Sequence, residues 1–328
     1  MLEQPLSSEV SATELYALTA DGWRIQMTRS LDPSRLDRSR RPVLIVPGYG
    51  MNGSIFVSHP GGTAMVSYLA AQGLEVWTLN LRGQGATAPV NGEAPPPSLR
   101  SYAEQDLRAA ITTVLDRTES VQGRLDVLGC SLGGSITYAL MALEPELPIG
   151  RFVGMASPLR WEDVPLLLRL PFRSRRLARL MPVRGTRRLA GLAMPIAKRA
   201  PFVVSLYLNA KNIDLEHAAA MIEQTVEDPH PRVNADIAKW MRAGDMVLRG
   251  VNVTDQLRRR TEPLMVVTAN RDGIVPGAAS RSALSAWGGP VEALEVGDAS
   301  QWYSHADLFV GREAPRRVFA PIARFLHR

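Results

Sequence analysis

The chain has 328 residues, 45% of them hydrophobic, with a formal net charge of +6 and a pI near 9.8. That length supports one large domain or one domain carrying an insertion, and no run of about 18 apolar residues is present to span a membrane. A single cysteine excludes an internal disulfide, and Met1-Leu2-Glu3-Gln4-Pro5-Leu6-Ser7 has neither a basic nor an apolar signal region, so a reducing, cytoplasmic setting is expected.

Thr13 to Leu18 and Trp23 to Thr28 read as two short strands around the Asp-Gly turn Thr19-Ala20-Asp21-Gly22. The basic, polar stretch Asp32 to Arg41 reads as an exposed loop. Pro42-Val43-Leu44-Ile45-Val46 is wholly apolar, as a strand in the middle of a parallel sheet must be. It runs into Pro47-Gly48-Tyr49-Gly50-Met51-Asn52-Gly53, whose glycines let backbone N–H groups face a ligand. Thr63 to Gln72 has helical periodicity and stops at Gly73, a residue suited to the C′ position. Leu74 to Leu79 is the next strand, with the loop Asn80 to Gly85 at its end. Pro95-Pro96-Pro97 stiffens a surface loop, and Ser98 to Glu119 predicts a helix carrying Tyr102, Leu107, Ile111, Val114 and Leu115.

An apolar run, Leu125 to Leu128, then stops at Gly129-Cys130-Ser131-Leu132-Gly133-Gly134, and a helix-forming run, Ser135 to Leu143, follows. Gly-x-Ser-x-Gly between strand and helix is a sharp turn with the serine hydroxyl held at its tip. The pattern alone arises by chance in about one chain in ten of this length, so its context decides the reading. Side chains at Gly129 or Gly133 would collide with the neighbouring strand or helix. The Leu132 N–H, at a helix N-terminus, would point at a developing oxyanion, and the Tyr49 N–H is the expected second donor.

After the strand Gly150 to Ala156 the alternation of strand and helix stops. From Ser157 to Asp245 apolar residues such as Trp161, Leu166, Leu170, Phe172 and Leu177 mix with arginines, and no acid occurs between Asp163 and Asp214. The segment reads either as ordinary helices with a solvated basic face or as a basic, apolar cap resting on an anionic membrane or lipid aggregate. A nucleic-acid groove is disfavoured, because the regular aromatic interleaving used for base stacking is missing. The alternation resumes with the strand Glu262 to Thr268, the loop Ala269 to Pro276, a helix from Ala278 to Trp287 and a strand from Val291 to Val296. The loop Ser304-His305-Ala306-Asp307-Leu308 and a helix from Ala314 to Leu326 close the chain.

Alternating strands and helices define an α/β fold with a mostly parallel central sheet and helices on both faces. The expected division is a first core part at 1–156, a helical basic cap at 157–245 and a second core part at 246–328. A serine hydroxyl needs a base, and the base needs a partner that fixes its tautomer. Ser131, Asp272 and His305 follow three predicted strands in the chain order serine, acid, histidine. Of the five histidines, His59 precedes the elbow, His217 and His230 lie in or near the cap, and His327 is terminal, which leaves His305 as the candidate base. Asp298 and Asp307 compete with Asp272 for the acid. Cys130 reads as a small buried side chain. No residue spacing suggests a metal site and no phosphate-binding loop is present, so no metal or cofactor is expected.

The chain resembles the α/β-hydrolases, and its first half is similar to the gastric and lysosomal acid lipase family. The resemblance is carried by Ala20-Asp21-Gly22-Trp23, Val46-Pro47-Gly48-Tyr49-Gly50, Gly73-Leu74-Glu75-Val76-Trp77, Asn80-Leu81-Arg82-Gly83, the elbow, Asp272 and Ser304-His305-Ala306-Asp307-Leu308. It implies hydrolysis of an acyl ester by Ser131, Asp272 and His305, with Tyr49 and Leu132 at the oxyanion positions. Pro47 stands where that family usually has histidine. The chain also resembles polyester synthases, which place cysteine at the position held here by Ser131. An acyltransferase or synthase on the same scaffold, or a non-catalytic binding member, are the competing readings. The apolar cap favours a medium or long acyl chain.

Overall fold

The computed structural model describes residues 9–164, 166–180 and 205–328. Eight strands run through one sheet: β1 (Ser11–Leu18), β2 (Trp23–Leu31), β3 (Val43–Val46), β4 (Val76–Leu79), β5 (Leu125–Cys130), β6 (Ile149–Met155), β7 (Leu264–Ala269) and β8 (Val291–Val296). Their spatial order is β1-β2-β4-β3-β5-β6-β7-β8, and a two-residue strand, Ala88–Pro89, adds to β2. β1 and β2 form the expected hairpin, and β2 meets β4 antiparallel. From β4 to β8 every pairing is parallel. This is the α/β-hydrolase fold.

Burial explains the apolar runs. β3, β4, β5 and β7 are buried at every position, because helices cover both faces of the sheet. Leu44, Val46, Trp77 and Val127 enter a core beneath the helices Arg108–Arg117 and Leu132–Leu143. Their strand neighbours Val43, Ile45, Val76 and Leu128 enter a second core beneath Met65–Ala71 and Ala320–Leu326. Successive side chains on a strand point to opposite faces, so each strand feeds both cores. β8 lies at the sheet edge and alternates between exposed and half-buried positions up to the buried Val296.

The long helix expected over Ser98 to Glu119 is broken up. Ser98 caps Leu99–Ser101 through a reciprocal capping box, a wide π turn covers Tyr102–Leu107, and a regular helix continues over Arg108–Arg117. The π turn carries Asp106, whose buried carboxylate accepts from Arg82, itself fully buried and also paired with Asp21. The extra residue shows in the sequence only as the five-residue step from Tyr102 to Leu107, and a single such step does not distinguish a wide turn from an ordinary gap in the apolar pattern.

Between β6 and β7 the chain forms short helices at Leu166–Arg169 and Arg175–Leu180, then longer ones at Leu215–Thr225 and Pro231–Ala243. Pro231–Ala243 packs against Arg175–Leu180, and Trp161 meets Trp240 edge to face at 5.4 Å. A small hairpin, Val247–Leu248 with Val251–Asn252, leads back to the sheet. Of the insertion's apolar and basic residues, Met181, Arg184, Arg187, Arg188, Leu192, Met194, Ile196, Lys198 and Arg199 lie outside the described residues. Among the described residues no helix is long and apolar enough to cross a membrane.

Candidate active site

β5 ends at Cys130, and the helix Leu132–Leu143 begins after a single intervening residue, three residues earlier than the helix-forming run alone suggests. Ser131 makes the whole turn. Its backbone sits at φ 53°, ψ −120°, a conformation that side chains rarely adopt, and its N–H donates to the Met155 carbonyl on β6 at 2.8 Å. The two motif glycines permit this closeness. A methyl group at Gly133 would lie 2.5 Å from the Pro47 carbonyl oxygen and closer still to that of Val46, and one at Gly129 would lie 2.7 Å from the Gly134 nitrogen.

The candidate acid and base come from the loops after β7 and β8. Asp272 lies in the loop after β7, where its Oδ1 accepts the N–H groups of Ile274 and Val275, both at 2.8 Å. Its Oδ2 is 2.7 Å from His305 Nδ1. An ionised carboxylate only accepts, so Nδ1 carries the hydrogen and donates it, leaving the Nε2 lone pair free for a proton. The His305 ring is flanked by Tyr207 at 5.9 Å and Phe309 at 6.0 Å between ring centres. Ser131 and His305 both line one cavity of about 330 Å³.

The competing acids are occupied elsewhere. Asp307 is buried and accepts from the N–H groups of Ser304 and Asn209 and from the Asn212 side chain. Burial pushes its carboxyl up to about 6, against the downward pull of those hydrogen bonds. Asp298 is largely turned to solvent and caps its own turn through Ser300 and Gln301. Three of the other four histidines are engaged as well, and His327 lies at the far end of the chain, where the last helix stops. His59 bonds the Gly311 carbonyl, His217 pairs with Asp214, and His230 caps the helix Pro231–Ala243. Cys130 is fully buried, and burial raises its thiol well above the usual range.

Leu132 provides the first amide of its helix, a position with no partner within the helix. The loop after β3 lies directly over the serine: a methyl group at Gly48 would be 3.0 Å from Ser131 Cβ. Tyr49 follows, lines the same cavity and donates its hydroxyl to Asn234 Oδ1 at 2.5 Å. Burial raises the Tyr49 phenol, so it stays protonated and remains a donor.

Sequence reasoning missed the contribution of the insertion. Asn234 holds Tyr49 across 185 positions, and residues 206–209 support the acid and base loops. Leu206 accepts through its carbonyl from the Gly273 N–H and the Ser304 hydroxyl, and the Tyr207 carbonyl accepts from the Ala306 N–H. Most of these are backbone contacts, which leave no residue-type signal. The insertion also supplies part of the cavity wall: Trp161, Phe172, Ile237, Trp240 and Met241 line it together with Ile55, Phe56 and Phe309 of the core. Among the described residues no group of His, Cys, Asp or Glu is arranged to hold a metal ion.

The strand order, the strained serine turn and the His–Asp pair at the carboxyl edge of the sheet define a serine hydrolase of the α/β-hydrolase class. Within that class the chain belongs to the Hydrolase_4 family, described as serine aminopeptidase, S33, which it matches over residues 37–298. Solved structures with the same fold include esterase RhEst1 from Rhodococcus sp. ECU1013, at 16% identity and TM-score 0.64, covering 96% of this chain and 98% of that one. The enol-lactonase from Burkholderia xenovorans LB400 is similar at 17% identity and TM-score 0.64, covering 96% and 100%. Rv0554 from Mycobacterium tuberculosis is similar at 20% identity and TM-score 0.61, covering 95% and 98%. At these identities the likeness is one of fold. No curated protein matches the sequence.

Proposed function

We propose that the chain is a carboxylic-ester hydrolase acting on esters with an apolar, medium or long acyl group. One observation carries the reading: the Asp272–His305 pair and Ser131 meet at a cavity whose described lining contains no Asp, Glu, Lys or Arg. His305 Nε2 takes the proton of Ser131 as its oxygen attacks the ester carbonyl. The Leu132 and Tyr49 N–H groups stabilise the oxyanion. His305 then protonates the leaving alcohol and activates water to release the acyl group, while Asp272 keeps the imidazole in the donor tautomer and offsets its charge. The acid-lipase motifs around Gly48, Ser131 and His305 support the same assignment.

The description of the family as aminopeptidases points to a different substrate, and the cavity argues against it here. A free amino terminus carries an ammonium group, which needs an anionic partner once it leaves water. None of the described residues lining the cavity is Asp or Glu. A cysteine-based synthase is disfavoured by the buried, protonated state of Cys130.

The test is labelling with a fluorophosphonate probe, followed by peptide mapping and a panel of esters. The expected result is label on Ser131 that disappears in Ser131→Ala, with octanoyl esters turned over faster than acetyl esters. An unlabelled but folded wild type would overturn the catalytic assignment. Faster acetyl turnover would overturn the acyl preference, and ester exchange onto added alcohol in place of acid release would make the protein an acyltransferase.

A further inference from the structure

The segment Leu166–Arg179 of the insertion combines two features that ordinary solvated helices keep apart. Three of the nine large hydrophobic residues that stand exposed among the described residues fall here: Leu166 at 71%, Leu170 at 52% and Leu177 at 47%. Arg169, Arg173, Arg175, Arg176 and Arg179 are exposed beside them. None of these five forms an ion pair with a carboxylate among the described residues, whereas Arg160, Arg281 and Arg316 elsewhere on the surface each do. The sequence explains why, since no acid occurs between Asp163 and Asp214 to supply a local partner. The patch also has a definite position. Pro171 and Phe172, between Leu170 and Arg173, line the cavity that holds Ser131 and His305.

We propose that this segment is a docking surface for an anionic lipid bilayer, which sets the catalytic cavity against the membrane. Unpaired guanidinium groups gain contacts with lipid phosphates, and their aliphatic stems and the neighbouring leucines lie in the headgroup boundary. Each cation near such a surface contributes a modest gain that salt screens, while buried leucine contributes a gain that salt does not weaken. An apolar acyl ester partitions into the same bilayer, so docking brings the cavity to its substrate. The last step rests on the ester-hydrolase reading. The docking itself does not.

The experiment is flotation of full-length Ser131→Ala protein with vesicles of pure phosphatidylcholine or of phosphatidylcholine with about 30% phosphatidylglycerol. Binding is expected on the anionic vesicles only and should fall steeply as salt is raised. A variant with Arg173→Ser, Arg175→Ser, Arg176→Ser and Arg179→Ser should lose about fivefold in partitioning per arginine removed. The same four substitutions in the wild-type background should leave turnover of a water-soluble ester unchanged, which reports the fold, and lower turnover of an ester dispersed in anionic vesicles. Equal binding to both vesicle types, or binding indifferent to the four arginines, would overturn the proposal. So would a salt-sensitive gel shift of an RNA oligonucleotide without vesicle binding. Vesicle binding by a protein that hydrolyses no ester would sustain the docking surface and reject the ester-hydrolase reading alone.

Discussion

The sheet and the insertion build the site by different physics. In the sheet, position is set by backbone. β3, β5, β7 and β8 end at one edge, and the glycines at 48, 129 and 133 let those ends approach until no methyl group fits between them. In the insertion, position is set by side chains: Trp161 against Trp240, Asn234 on Tyr49, and an exposed rim of arginine and leucine. The difference teaches that the candidate catalytic groups stand where the backbone leaves least room for change. The proposed choice of substrate and of surface rests instead on side chains of the insertion. The two regions are not independent, because residues 206–209 of the insertion hold the loops of Asp272 and His305 in place.

The comparison is broken most directly at the serine. Ser131→Ala should lower kcat/KM for an ester by about ten-thousand-fold or more, with an unchanged melting temperature. A smaller loss would mean that the elbow does not carry the reaction. Gly133→Ala should then separate the regions on stability. The added carbon meets carbonyl oxygens on the β3 loop that cannot retreat, so unfolding in urea should show a loss of about 3 kcal/mol.

Asp307 sharpens the link between insertion and sheet. Its carboxyl is raised in the folded protein to about 6, above the ordinary value of 3.8, chiefly by burial. The folded state therefore binds the proton more tightly than the unfolded state. The stability that this contributes is fully present below about pH 4 and is lost as pH rises through about 6. Asp307→Asn does not titrate, so the wild type should lose about 3 kcal/mol relative to the variant between those limits. Melting curves of both proteins at several pH values measure the difference, and a difference that stays flat or runs the other way would remove Asp307 from this role.

Tyr49→Phe tests the reach of the insertion into the oxyanion loop. The Asn234 bond is lost while the ring remains, so kcat should fall by about fivefold with little change in KM. An unchanged kcat would show that the loop holds its shape without the insertion. The smallest effect is expected at Arg175→Ser, an exposed and unpaired residue whose loss should shift stability by no more than about 0.5 kcal/mol. A larger loss would mean that the basic rim supports the fold.

The candidates Ser131, Asp272 and His305 could be picked out because each stands just past an apolar run, in an order that a parallel sheet brings to one edge. The hairpin around Asp21-Gly22, the buried strands β3, β4, β5 and β7, and the C-terminal helical region were legible for the same local reasons. The helix from Leu132 was read as starting late, because Gly133 and Gly134 are poor helix formers and are tolerated only under tertiary packing. Asn234 gave no signal. Its partner is distant in sequence, and an asparagine in a polar helix is ordinary until Tyr49 lies opposite it.

The sequence by itself determined the α/β alternation, the elbow, and the acid and base candidates, because these depend on periodicity, glycine and chain order, which are local. Only the tertiary structure decided the strand order across the sheet. It also selected Asp272 over Asp298 and Asp307 as the partner of His305, and made part of the insertion a support for the site. Those outcomes depend on which carbonyls, carboxylates and rings come within a few ångströms of one another after folding. A linear chain does not encode that distance at any single position.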